Sequence, residues 1–325
     1  MRYSRATILM NPALTARRFL PIQDLIHRKL RGLARHVHVP DTWQDREPLA
    51  VASGQATSSE PGADLSGKEL VVVVGGDGTI NRAVNWLFKP GQRPPGEIVL
   101  GIVPAGTACS LPRELGIPRG FRAIRLLSEG SVRTIDLLSL RWLTPGGEQK
   151  RRFVTTLAHF GFGGAVVNSL SPRLKKLGGF LGFSLAAARE LLRYKTQEIA
   201  VQLDGVHVAH SRLLSVIVAN SRYEGGGMCV APAAQPDDGL LHTVVVRDLP
   251  MFSRLTRFPT VYAGRHVRLR AVTSFRGKTV VVAANNPIPF EFDGEPAECL
   301  ECHIQVVPSA IRIIVPGGPQ PPGHG

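Results

Sequence analysis

Residues Val71-Val72-Val73-Val74-Gly75-Gly76-Asp77-Gly78-Thr79-Ile80-Asn81 limit the possible folds more than any other stretch of this chain. Four successive valines read as a short, fully buried strand of the parallel kind. The glycines that follow permit a tight turn and let backbone come close to a ligand. From Thr79 to Phe88 the apolar residues Ile80, Ala83, Val84, Leu87 and Phe88 recur at helical spacing, which predicts a helix directly after the turn. A strand, a glycine turn and a helix N-terminus together form an anion site, because free N–H groups and the helix dipole both face the turn. Phosphate is the natural occupant. Asp77 inside the turn would repel a bare phosphate, so its presence points to a divalent cation between the two. No Gly-Lys-Ser/Thr follows, so this is not a P-loop, and no third glycine stands at the dinucleotide-binding spacing. A turn whose glycines serve geometry alone does not call for Gly-Gly-Asp-Gly-Thr as a block.

An anionic partner also fits the charge, which is +14 from 39 basic and 25 acidic residues. Nucleotide, nucleic acid and an acidic membrane surface would all be attracted. The basic residues are spread along the chain, and no aromatic-rich basic module for nucleic acid stands out, so nucleic acid is not expected. Cys109, Cys229, Cys299 and Cys302 are too few for a disulfide framework. Cys299 and Cys302 have half of a zinc spacing without a second half, and they read as thiols in a strand. No segment approaches the roughly 20 apolar residues needed to span a bilayer. The N-terminus lacks a secretory apolar region. The expectation is a cytoplasmic protein, soluble or peripheral on the inner face of the membrane.

In chain order, strands are expected at 6–10, 37–39, 71–74 and 98–103, with helices over about 16–33, 79–88 and 123–129. The end of a helix and a loose loop are expected over 50–68. Strands alternating with helices predict a Rossmann-like, mostly parallel sheet in an α/β domain over residues 1–134. Ligands of such sheets bind at the carboxyl ends of the strands, where Asn11, Thr42, Asp77 and Thr107 all fall. From about residue 135 short strands dominate, at 136–142, 153–157, 199–203, 213–219, 241–246, 279–283, 304–307 and 311–315. One helix, from Phe183 to about Leu192, interrupts them. This predicts a second, all-β domain over 135–316, a β-sandwich, followed by a disordered tail over 317–325. The histidines His36, His38, His159, His207 and His210 share no ligand spacing and are expected to be structural or exposed.

The glycine block resembles the signature shared by diacylglycerol and sphingolipid kinases, NAD kinases and phosphofructokinases. Further blocks narrow the choice: Pro104–Pro118, ending in Leu-Gly-Ile-Pro; His159–Ala165; Ala219-Asn220 with Gly225-Gly226-Gly227; Ala231-Pro232 with Asp237–Leu241; and Phe292–Pro296. In this order and spacing they resemble the bacterial diacylglycerol kinase-like lipid kinases over nearly the whole chain. The Asn-Glu motif with which NAD kinases hold the dinucleotide is missing. Two departures affect the site. Asn11-Pro12 continues as Ala13-Leu14, where the family has a small residue and Gly. Cys109 stands where the family's Gly-Thr-x-Asn has Asn.

The resemblance implies phosphoryl transfer from ATP, with Mg²⁺, to a lipid hydroxyl. It implies that Asn11, Thr42, Gly75, Gly76, Asp77, Gly78, Thr79, Asn81, Gly106 and Thr107 hold ATP, and that Asp77 supports the catalytic Mg²⁺ directly or through water. It makes Asp293, in Asp-Gly-Glu, the general base, although an Asp-Gly hairpin turn is the plain reading of those residues. Glu295 would orient a group or bind metal. Gln235, Asp238 and the Leu240 carbonyl match a second, structural Mg²⁺ site, for which the plain reading is a turn into strand 241–246. The lipid acceptor would enter between the two domains along Phe160–Val167 and Leu177–Leu185. Arg173, Lys175 and Lys176 would then face an anionic membrane surface, where each charge is worth about 1 kcal/mol. A homodimer stays open as the assembly. Two other functions stay open as well: a regulatory protein that binds nucleotide without catalysis, and a kinase for a soluble acceptor such as NAD or a sugar phosphate.

Overall fold

A computed structural model describes residues 3–11, 20–38, 68–88, 98–170 and 179–317. Thr42, the residues after Asn11-Pro12, the loop over 50–67, Arg173, Lys175, Lys176 and the tail beyond Gly317 lie outside them. The chain divides into two compact units, one of Met1–Ile135 with Ser309–Gly325, the other of Asp136–Pro308.

Unit 1 is a parallel sheet with helices. Its elements are β1 (Tyr3–Met10), α1 (Leu20–Arg31), β2 (Ala34–His38), β3 (Glu69–Gly75), α2 (Asp77–Leu87), β4 (Ile98–Pro104), α3 (Ser110–Glu114) and α4 (Phe121–Glu129). β1 pairs in parallel with both β2 and β3, and β3 pairs in parallel with β4. The valines of β3 are fully buried, as expected for a central parallel strand. Ile8, Val72, Val99, Ile26, Leu30 and Leu127 share the core of this unit. The short helix α3 was not foreseen; its five residues carry too little periodicity to signal it.

β5 (Ser131–Leu143) leads into unit 2. There follow β6 (Gln149–Val154), β7 (Leu157–Gly161), α5 (Phe162–Asn168), α6 (Gly179–Arg193), β8 (Gln197–Leu203), β9 (Val206–Ala219), β10 (Tyr223–Glu224), β11 (Met228–Cys229) and β12 (Leu241–Arg247). Next come α7 (Met251–Arg257), 3-10 turns at Phe258–Val261 and Arg265–Arg268, β13 (Val272–Gly277), β14 (Thr279–Phe292) and β15 (Glu295–Val315). The ladders are antiparallel: β13 on β12, β12 on β9, β9 on β7, β7 on β14. β9 and β14 are long. The first half of β9 pairs with β8 and the second with β7 and β12; β14 likewise serves β8 and then β7. Phe160 and Phe290 stack at 5.0 Å, with Trp142 edge-on to Phe290, in the middle of the core. Cys299 and Cys302 are buried in this same core as free thiols.

Three sequence expectations need correcting. The strand over 153–157 is two strands, β6 and β7, broken at Thr155-Thr156. The strands at 304–307 and 311–315 are one element, β15. The end of β15 does not belong to the second domain: Arg312 and Ile313 pair in parallel with Val99 and Leu100 of β4, which returns the chain to unit 1. Hydrophobic pattern marks a strand but not its partner. α7 and β13 were missed because their apolar residues are interleaved with arginines and polar residues.

Candidate active site

In unit 1 the carboxyl ends of β1, β3 and β4 carry Asn11, the Gly75–Thr79 turn and the Gly106-Thr107 turn, as the topology rule predicts. Hydrogen bonds from Asn11 N–H to Val74 O (3.1 Å) and from Ala105 N–H to Gly75 O (2.9 Å) lock the three strand ends together. Gly76 is the N-cap of α2, and no side chain caps that helix. A Cβ on Gly76 would lie 3.1 Å from the Gly106 Cα, and a Cβ on Gly106 would overlap Gly76. The two turns thus approach backbone to backbone. An uncapped N-terminus of an 11-residue helix beside two glycine turns has the donor set and the room for phosphate.

Asp77 occupies the first turn of α2 and spans to the next turn. Its carboxylate accepts the N–H of Ser110 at 2.8 Å and of Leu111 at 3.2 Å. The Thr79 hydroxyl oxygen lies 3.4 Å from Asn11 Nδ2. Asn81 is buried, and both its backbone and its side-chain oxygen accept from Asn85 Nδ2 (2.9 and 3.2 Å), which turns it along the helix. Arg119 was not foreseen. Its Nη2 donates to Thr107 O at 3.0 Å, placing a cation on the second glycine turn. Cys109 sits at φ 50°, in the left-handed region, with its thiol bonded to Gly106 O at 3.2 Å. Burial, with the Asp77 carboxylate second, raises its pKa.

Asp293, the expected base, is buried in unit 2 at φ 48°. One carboxylate oxygen accepts Thr155 N–H (2.8 Å) and Thr155 Oγ–H (2.9 Å); the other accepts Thr156 N–H (2.8 Å) and Thr156 Oγ–H. These donors explain the break between β6 and β7: the Thr-Thr step leaves its N–H groups to Asp293. Glu295, two residues on, is half-buried. The turn with Asp238 is closed on itself. Asp238 accepts Leu240 N–H (3.0 Å) and meets His242 Nε2 (2.9 Å), while Asp136 accepts Gly239 N–H (2.7 Å). Gln235 is exposed. Hydrogen bonds of this kind also orient metal-ligating carboxylates, and Asp238 keeps lone pairs for a cation beside them.

His159, expected to be structural or exposed, is the centre of a buried polar group. Its Nδ1 lies 2.8 Å from Glu224 and its Nε2 lies 3.0 Å from Ser215 Oγ. Glu291 stands opposite His159 in the β14–β7 ladder, and one ligand atom from each of His159, Glu224 and Glu291 lies within 4.8 Å of the others. These residues are 65 or more apart in sequence, so no local spacing announces them. His159 and Glu224, with Ser215, form one wall of an apolar pocket in unit 2, closed on other sides by Phe162, Leu191, Met228, Phe258 and His266. Among the described residues no helix is long and apolar enough to cross a membrane.

A family model described as the diacylglycerol kinase catalytic domain matches residues 5–140, and one described as the YegS C-terminal NAD kinase beta sandwich-like domain matches residues 158–315. A protein of Mycobacterium tuberculosis (strain ATCC 25618 / H37Rv) named diacylglycerol kinase is 32% identical over 256 residues, 78% of this chain and 79% of that protein. A Stenotrophomonas maltophilia (strain K279a) protein, named "Probable lipid kinase YegS-like", is 27% identical over 291 residues, 89% of each chain. Among solved structures, a diacylglycerol kinase of Bacillus anthracis str. Sterne superposes with a TM-score of 0.63 at 16% identity, covering 97% of this chain and 98% of that one. Yeast NADH kinase complexed with NADH shares the fold at a TM-score of 0.55 and 12% identity, covering 98% of this chain and 84% of that one. Both domains of the fold, in sequence order, and a relative above 30% identity over most of its length place this chain in the diacylglycerol kinase-like family of lipid kinases.

Proposed function

We propose that the protein transfers the γ-phosphoryl group of ATP, with Mg²⁺, to a hydroxyl of a lipid such as diacylglycerol or a related amphiphile. The observation that carries this reading is the backbone contact of Gly76 and Gly106 at the uncapped N-terminus of α2. Gly75–Thr79 and Gly106-Thr107 would cradle the phosphates, with Asn11 beside them, and Arg119 would add a cation. Asp77, fixed by Ser110 and Leu111, is the residue to hold Mg²⁺, directly or through water. When bound, ATP supplies the phosphoryl group and Mg²⁺ spreads its charge.

Asp293 would take the proton of the lipid hydroxyl once a threonine hydroxyl turns away, with Glu295 orienting the acceptor. The apolar pocket would receive the lipid's apolar portion. Leu185 and Leu192 on α6, and Met251, Phe252 and Leu255 on α7, are exposed apolar residues. Arg189, Arg193 and Arg257 stand exposed among them. This combination suits a protein working peripherally on an anionic, cytoplasm-facing membrane surface.

The test uses labelled ATP, Mg²⁺ and a bacterial lipid extract in mixed micelles, with Asp293→Asn in parallel. A labelled lipid, lost in the variant, is expected. Equal labelling by both proteins would sink Asp293 as the base. A second reading, nucleotide binding without transfer, draws on the four hydrogen bonds that engage the Asp293 oxygens; ATP binding with no labelled product from any acceptor would favour it.

A further inference from the structure

The Thr155-Thr156 step falls between β6 and β7, outside any strand ladder, so its four backbone groups need partners of another kind. Its two N–H groups go to Asp293, at 2.8 Å each. Its two carbonyls go to Asn220, the residue directly after β9. Asn220 Nδ2 donates to Thr155 O at 3.3 Å, and Asn220 N–H donates to Thr156 O at 2.7 Å. Ser221 N–H adds a second bond to Thr156 O at 3.1 Å. Asp293 and Asn220 thus grip one dipeptide, the first from its donor side and the second from its acceptor side.

Asn220 is fully buried, at 0% exposure. Its Nδ2 also donates to Asp136 O at 2.9 Å, which ties the dipeptide to β5. Both partners of Nδ2 are carbonyls, which only accept, so the nitrogen of the amide must be the atom that faces them. Its Oδ1 is buried with no hydrogen-bond partner among the described residues. A buried amide oxygen without a partner is destabilising, so the contribution of this side chain lies in what its nitrogen donates. The peptide unit between Thr155 and Thr156 joins the two ends directly: Asn220 donates to its C=O, and its N–H donates to Asp293. Hydrogen bonds in such a chain strengthen one another.

We propose that Asn220 is a positioning residue for the transfer: by holding both carbonyls of Thr155-Thr156, it keeps the two backbone donors on the Asp293 carboxylate while a threonine hydroxyl turns away. This rests on the lipid-kinase reading with Asp293 as base, and deepens it. The four donors on Asp293 are of two kinds. A hydroxyl rotates about a single bond, whereas an N–H moves only with the backbone. Turning one hydroxyl away frees a lone pair for the acceptor's proton. The carboxylate stays in place through that change because the backbone donors stay, and Asn220 holds them. No proton or electron pair passes through Asn220 itself. The Ala219-Asn220 block, which the reaction otherwise leaves without a task, thereby gains one.

The test compares the full-length parent with Asn220→Ala, Asn220→Leu and a control, Val218→Ala, which truncates a buried residue of the same strand. Rates are expressed per ATP-binding molecule, counted by titration, so that unfolded protein does not enter. In both Asn220 variants kcat is expected to fall by at least about tenfold with KM for ATP within about threefold, while Val218→Ala keeps the parent kcat despite a lower melting temperature. Amide hydrogen exchange, followed by mass spectrometry without ATP or lipid, reads the same step directly. Thr155 and Thr156 should be as protected as β7 in the parent, and should exchange at least about tenfold faster in the Asn220 variants but not in Val218→Ala. Unprotected Thr155 and Thr156 amides in the parent overturn the inference, even where neither Asn220 variant folds. So does unchanged exchange in the variants, or a loss of kcat that Val218→Ala shares at equal stability. A parent that labels no lipid removes the kinase reading, and the exchange rates still decide whether Asn220 holds the Asp293 cradle. A parent that labels lipid, with Asn220 variants as active as itself, removes only this inference.

Discussion

Gly76 and Gly106 face each other so closely that a Cβ on Gly76 would lie 3.1 Å from the Gly106 Cα, and one on Gly106 would overlap the Gly76 Cα. Both neighbours are backbone, so neither side can yield by changing a rotamer. Gly106→Ala is therefore expected to weaken ATP binding by at least about tenfold and to lower the melting temperature. Nucleotide titration and a thermal melt of the variant check this. Unchanged affinity would mean that the paired turns are not the phosphate cradle.

Cys109 occupies the left-handed region at φ 50°, ψ 54°. Asn tolerates this region better than other non-glycine residues, and its side-chain amide can donate to Gly106 O as the thiol does now. Cys109→Asn is expected to stabilise the protein by about 0.5–1 kcal/mol, a rise in melting temperature of about 1–3 °C. A lower melting temperature would show that the thiol's packing outweighs the backbone cost.

Asp293 gathers four donors from Thr155 and Thr156. Asp293→Ala would leave two buried N–H groups without their acceptor, at about 1–3 kcal/mol each. Asp293→Asn keeps one oxygen and the left-handed backbone, so it should lose phosphoryl transfer while remaining better folded than the alanine variant. Chemical denaturation of the two variants, beside the transfer assay, checks the order. Equal stability would mean that the Thr-Thr step finds other partners.

The four thiols differ in reach. Burial raises the pKa of Cys109, pushes that of Cys299 to about 12 and takes that of Cys302 well above its ordinary value. Cys229 is half-buried. A thiol reagent at pH 8 should modify Cys229 first in the native protein and all four cysteines in guanidinium. Rapid native labelling of Cys302 would contradict the core placement of β15.

His266 also predicts a pH effect. Its folded pKa is below the unfolded value of 6.5, so over the interval between the two values the unfolded chain binds the extra proton. The stability it contributes is full above pH 6.5 and is lost as pH falls through that interval. The parent should therefore lose more stability than His266→Gln between pH 7.5 and 5, read as the difference in melting temperature at each pH. A gap that does not change with pH would refute this.

The sequence alone determined the strand, turn and helix of Val71–Leu87, the parallel sheet before residue 135 and the antiparallel strands after it. Each of these rests on local pattern: valine runs, helical periodicity, and glycines where backbone must come close. The blocks around Asp77 and Asp293 made both candidate site residues. What they touch was not legible, because Ser110 is 33 residues and Thr155 is 138 residues away. Partner choice is also non-local: the β15 residues Arg312 and Ile313 looked like any strand of the second domain, and only the sheet assigned them to β4. The polar wall of the unit 2 pocket had no local spacing to announce it, although His159 opens one of the family blocks. His159, Ser215, Glu224 and His266 come from four separate elements, and burial together gives them a chemistry that none has in its own segment.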